Sequence, residues 1–158
     1  MKFEEALSNF VNDFAGGADV RHMADLGLTV SEISEKLDYP LPKDKIGQIV
    51  FEHFINTGKI CLEKPEEKIE KVSYVKDTDS FGRTSMRRVT EPVDISARKY
   101  VAVDFGTRLY KDRKEFEKCL EGLQRRDREY ILEMPWPLGT VYHEMDERMR
   151  RIADAGII

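Results

Sequence analysis

Ten lysines and arginines fall between residues 71 and 113, against six carboxylates, in a chain whose overall charge is −4. A basic middle inside an acidic protein could face phosphate, since surface charge is felt over a screening length of about 8–10 Å. The same segment could equally be ordinary solvated strand surface. The other chemistry-bearing residues assemble no reaction centre. His22, His53 and His143 are scattered, and His143-Glu144 lacks the second histidine four residues on that a zinc-hydrolase helix carries. His22 and His53 sit beside apolar helix positions, as core or boundary histidines do, while His143 is expected on a polar helix face. Cys61 and Cys119 form no C-x-x-C pair, which argues against a disulfide framework or a zinc site and for a reducing compartment. With no Ser, His and Asp set, no catalytic residue, cofactor or metal ligand is assigned, and the chain is expected not to be an enzyme.

The elements that must carry this charge follow from apolar spacing. At 158 residues, with 41% hydrophobic and 35% charged side chains, the chain is long enough for one or two small cores and too rich in apolar residues for disorder. Its apolar runs are only a few residues long, far short of the roughly 20 that a helical membrane span needs. Carboxylates follow Met1-Lys2-Phe3 where a signal peptide would be positive and then apolar, so the protein is expected to stay in the cytoplasm.

Phe3, Leu7, Phe10, Val11 and Phe14 lie on one helix face, which Gly16-Gly17 should stop. Ala18-Asp19 could cap a second helix carrying Val20, Met23 and Ala24 and ending at Gly27. Thr29-Val30-Ser31-Glu32 has the capping-box pattern for a helix that turns Ile33 and Leu37 inward. Pro40 and Pro42 force a turn. A third helix buries Ile46, Ile49, Val50, His53 and Phe54, shows Lys45, Gln48, Glu52 and Asn56 on its other side, and ends at Gly58. Strands are expected over 59–63, 72–76, 86–89 and 99–104, with Asp77 to Gly82 joining two of them as a hairpin. From Asp112 a single helix should run to Pro135, where Trp136 reads as a loop anchor. Thr140 should cap a last helix with Val141, Met145, Met149 and Ile152 inward.

Two stretches resemble known families. Residues 28–62, LTVSEISEKLDYPLPKDKIGQIVFEHFINTGKICL, together with the hairpin that follows, resemble a winged helix-turn-helix over about residues 18–90. Thr29, Ile33, Leu37, Ile46, Val50, Phe54, Gly58 and Ile60 match its cap, anchor and strand positions. The resemblance implies a third helix in the major groove of double-stranded DNA and a wing against the backbone or minor groove. On that pattern Lys43, Lys45, Gln48 and Asn56 would face DNA, and Arg83, Arg87 and Arg88 on the hairpin would pair with phosphates. Phosphate contacts supply most of the affinity, and Asp44 and Glu52 among the helix positions would repel phosphate, so the wing arginines carry the greater weight. Separately, Val101-Ala102-Val103-Asp104-Phe105-Gly106-Thr107 resembles the phosphate loop of actin-like ATPases and contains the D-F-G of protein kinases. The partner motifs of both are absent, which leaves a strand ending in a glycine turn.

The expectation is therefore an α+β protein with an N-terminal helix (1–17), a winged-helix core of three helices and a small antiparallel sheet (18–104), and a C-terminal extension of two helices (105–158). The extension could cover the sheet or carry a homodimer interface. The function expected is binding of double-stranded DNA by a cytoplasmic regulator. The alternative is an adaptor or inhibitor that binds another protein through its acidic faces, of the kind a phage or mobile element encodes, because a winged helix by itself does not choose between the two.

Overall fold

The computed structural model describes residues 17–65, 68–94 and 97–158. The N-terminal helix expected over residues 3–14 lies outside them. Among the described residues the architecture is α+β: seven helices surround a small antiparallel sheet, and a separate two-stranded ribbon projects from it.

Among the described residues helix α1 covers 17–25, so Gly17 is helical, and Ala18 and Asp19 lie within the helix instead of capping it. A glycine costs a helix only about 1 kcal/mol, less than the burial of Val20 and Ala24 returns. Gly27, at φ +83°, closes the turn after α1. Helix α2 (Val30–Lys36) opens on the expected capping box: the Thr29 hydroxyl accepts from the Glu32 N–H, and the Glu32 carboxylate accepts from the Thr29 N–H. Helix α3 (Lys43–Thr57) follows Pro42, buries Ile46, Val50 and Phe54, and ends at Gly58 in the left-handed conformation (φ +79°). Ile49 and His53 are half-buried, and His53 Nε2 lies 2.8 Å from Asp25 Oδ1.

The sheet has the order β1-β5-β4, from β1 (Ile60–Cys61), β4 (Tyr100–Val103) and β5 (Val141–Glu144). β5 lies in the middle, with His143 opposite both Ile60 and Val101. Residues 141–144 are thus a central strand and not the start of the last helix. That helix, α7 (Glu147–Asp154), begins six residues later than expected and is capped by Asp146, whose Oδ1 accepts from the Met149 N–H at 2.9 Å. Pairing with two strands satisfies the 141–144 backbone and lets Val141 and His143 alternate inward, which outweighs the helical spacing of Val141, Met145 and Met149.

Other departures fall in the same C-terminal part. Four helices occur there instead of two. The helix expected from Asp112 to Pro135 is split into α5 (Arg113–Cys119) and α6 (Arg125–Glu133) by the turn around Gly122. The residues after Asp104 form a short helix, α4 (Phe105–Lys111), where a bare glycine turn was expected. Gly106 is required there, since a Cβ would lie 2.1 Å from the Pro137 carbonyl oxygen. That close approach seats Trp136 in the core. Its ring meets Phe51, Phe105 and Tyr130 edge-on, with centroids 5.2–6.0 Å apart, and its Nε1–H donates to the Ile131 carbonyl at 2.8 Å. His143, expected on a polar helix face, is fully buried beside them. Its Nδ1–H donates to the Glu144 carbonyl (2.7 Å), and Nε2 accepts from the Tyr130 hydroxyl (2.5 Å).

Candidate nucleic-acid interface

The ribbon is built from β2 (Lys68–Thr78) and β3 (Thr84–Asp94), paired antiparallel over their whole length from Lys68↔Asp94 to Thr78↔Thr84. Eleven residues per strand at about 3.3 Å each give an arm roughly 35 Å long. Outside its own pairing, its principal contact with the body is α3. β1 pairs with β5 and not with this hairpin, so the sheet that a winged-helix pattern would draw from the wing is completed by a strand about 80 residues downstream of β1. The strands also run well beyond the expected 72–76 and 86–89.

A five-residue loop, Asp79 to Arg83, closes the tip. The Asp79 carboxylate accepts from the N–H groups of Phe81 and Arg83, both at 2.9 Å. The Gly82 N–H donates to the Asp79 carbonyl, and the Asp79 N–H donates to the Arg83 carbonyl. Gly82 supplies the left-handed residue (φ +76°) that returns the chain into β3. One oxygen of the aspartate, Oδ1, is thus taken up by the turn.

Register then decides where each cation points. Residues directly opposite share a face of the ribbon, so Arg88 lies beside Tyr74 on one face, and Arg87 lies beside Val75 on the other. Arg83 stands at the tip. All three are exposed, and the ion pairs found among the described residues use none of them. Elsewhere arginines are consumed by the fold: Arg151 donates twice to the buried Asp127 at 2.8 Å, Arg126 pairs with Glu32, and Arg108 donates to the Ile157 carbonyl. Lys76 shares the Tyr74 face and is likewise exposed.

The helix candidates are placed differently. Lys43 is exposed, but its Nζ donates to the Ser31 hydroxyl at 3.0 Å, and that hydroxyl in turn donates to the Glu133 carboxylate. Gln48 is exposed, while Lys45 and Asn56 are half-buried. They span most of α3, about 20 Å from Lys43 to Asn56, and the structure does not gather them with the three arginines into one patch. α6 covers the start of α2 and the side of α3 at Gly47, whose Cβ position would lie 3.2 Å from the Glu133 carbonyl. Glu129 and Glu133 accept hydrogen bonds from Thr29 and Ser31 there. Asp44, and the Glu133 carboxylate tied through Ser31 to Lys43, put negative charge beside the N-terminal half of α3, whereas Glu129 is paired with Arg125.

The sequence reading places Lys76 and Phe81 in the hairpin but does not count them among its candidate site residues. The β-branched and aromatic residues over 72–76 mark the strand, and the turn residues mark the hairpin, but only the register places Lys76 among the arginines. Among the described residues no group of three or more His, Cys, Asp or Glu side chains could hold a metal ion, and no helix is long and apolar enough to cross a membrane. No family model, curated protein or solved structure matches the chain.

Proposed function

We propose that the chain binds double-stranded nucleic acid through its β2–β3 ribbon, as a cytoplasmic DNA-binding regulator, with Arg83, Arg87 and Arg88 on phosphates. The observation that carries this reading is a projecting two-stranded arm with exposed arginines at its tip and on both faces, none of them in an ion pair found among the described residues. A major groove about 12 Å wide admits such a ribbon, and cations on opposite faces then meet the two phosphate backbones that wall it. The helix order α1 to α3 followed by the hairpin keeps the winged-helix resemblance, with the ribbon as the wing. On this reading recognition shifts from α3 to the ribbon, because α3 presents carboxylates beside its lysines.

The test is fluorescence anisotropy of a labelled duplex across a salt series, with the wild type and Arg87→Ala/Arg88→Ala. Three phosphate contacts give a slope of about −3 in log affinity against log salt, and removing two should make it shallower by about 2. Absence of salt-dependent binding would remove the reading.

A second reading has its own observation. Tyr74, Val75 and Met86 on the ribbon are exposed apolar side chains, and among the described residues the ribbon's outer edges pair with no further strand. A protein partner could add a strand to such an edge. It would bind without duplex and with little dependence on salt.

A further inference from the structure

We propose that Phe81 is a stacking wedge that takes an unstacked nucleobase, so that the arm prefers a duplex with a displaced base over a fully paired one. The proposal rests on the nucleic-acid reading above and adds the kind of nucleic acid to it. Phe81 is the most exposed large hydrophobic side chain of the arm, 84% accessible, in the loop beyond the last strand pair. Single exposed apolar residues are common on protein surfaces, so exposure alone decides nothing. What distinguishes this one is its mounting. The Asp79 carboxylate holds the Phe81 N–H, the Arg83 N–H closes on the same oxygen, and Gly82 takes the conformation that few other residues adopt cheaply. These bonds fix the backbone of the turn, so stacking has to order only the exposed ring itself.

Charge chooses the occupant. Arg83 follows the ring by two residues, and Lys76, Arg87 and Arg88 line the ribbon behind it, outnumbering the exposed carboxylate of Asp77 on the Arg87 face. The tip carboxylate of Asp79 is turned onto backbone amides. An aromatic face with cations behind it is complementary to a base with phosphates beside it, and is less suited to a neutral apolar partner. Stacking on an aromatic side chain stabilises a bound base whatever its identity, and the cost of displacing the base is least where it is already unstacked.

The experiment compares a short labelled duplex with the same duplex carrying a small bulge, at fixed salt, for the wild type, Phe81→Ala and Phe81→Trp. The wild type should bind the bulged probe about tenfold more tightly, within the range that aromatic–base stacking supplies. Phe81→Ala should lose that preference while its salt slope, set by the cations, stays that of the wild type. Phe81→Trp should keep the preference, and its fluorescence should be quenched on the bulged probe; the native Trp136 is buried and contributes little to such quenching. Equal affinity of the wild type for both probes, or a preference that survives Phe81→Ala, would overturn the wedge while leaving the arm's phosphate binding in place. If the wild type binds neither probe at low salt, the nucleic-acid reading falls and the wedge with it.

Discussion

Lowering the pH should destabilise this protein through a single imidazole in the middle of its sheet. His143 is fully buried on β5, and burial, which penalises the charged ring, is the largest cause holding its pKa at about 4 instead of the ordinary 6.5. Its neutral form is built into the core, with Nδ1–H donating to Glu144 and Nε2 accepting from Tyr130. A proton on Nε2 would oblige the Tyr130 hydroxyl to turn and accept, leaving its own hydrogen without this partner. Because the unfolded chain takes up this proton near pH 6.5 and the folded chain only near pH 4, the unfolded state binds more protons between those values. Stability therefore falls as pH is lowered through that window. The slope is about 1.4 kcal/mol per pH unit, giving a loss of about 2 kcal/mol by pH 5 and about 3 kcal/mol by pH 4. Carboxylates add their own losses mostly at lower pH, so the clean comparison is urea unfolding of wild type and His143→Gln at several pH values between 7 and about 5. The stability difference between the two should shrink or reverse as pH falls. A difference independent of pH would refute the reasoning. If the variant does not fold, the His143 ring titration followed by NMR in the wild type decides the matter, since a midpoint near 6.5 would contradict a neutral, buried ring.

Two further outcomes follow from the packing around the same strand. Gly106→Ala places a methyl group on the Pro137 carbonyl and should force α4 off Trp136, costing about 3 kcal/mol and lowering the midpoint of thermal unfolding by roughly 10 °C. Asp127→Ala leaves Arg148 and Arg151 without their buried carboxylate and should cost about 3 kcal/mol by urea unfolding, whereas a surface pair such as Arg113–Glu117 should cost under about 1 kcal/mol.

Local signals in the sequence are reliable where a single segment settles its own hydrogen bonds. Thr29 and Glu32 cap α2 between themselves, Gly58 ends α3, and Asp79 with Gly82 closes the hairpin, so these features are legible from neighbouring residues alone. β5 is different. Its partners Ile60 and Val101 lie about 80 and 40 residues away, and Val141, Met145, Met149 and Ile152 fit a helical face well enough to hide a four-residue strand. The period-two alternation of Val141 and His143 was present, but a histidine as an inward core residue carries no signal until Tyr130 is seen beside it. The same limit applies to the candidate interface. Arg83, Arg87 and Arg88 could be named from the hairpin pattern, whereas the placement of Glu129 and Glu133 against Thr29 and Ser31 depends on where α6 packs, which no local spacing encodes. Phe81 reads as one more turn residue until the loop's hydrogen bonds show how it is mounted.

The central claim, that the ribbon and not α3 meets nucleic acid, is tested most directly by amide hydrogen exchange with and without a saturating duplex. A two-stranded ribbon standing largely apart from a core opens readily, so its amides should exchange quickly in the free protein. Duplex should slow exchange across residues 74–88 and leave α3 nearly unchanged. Protection in α3 or the C-terminal helices with the ribbon unaltered would contradict it.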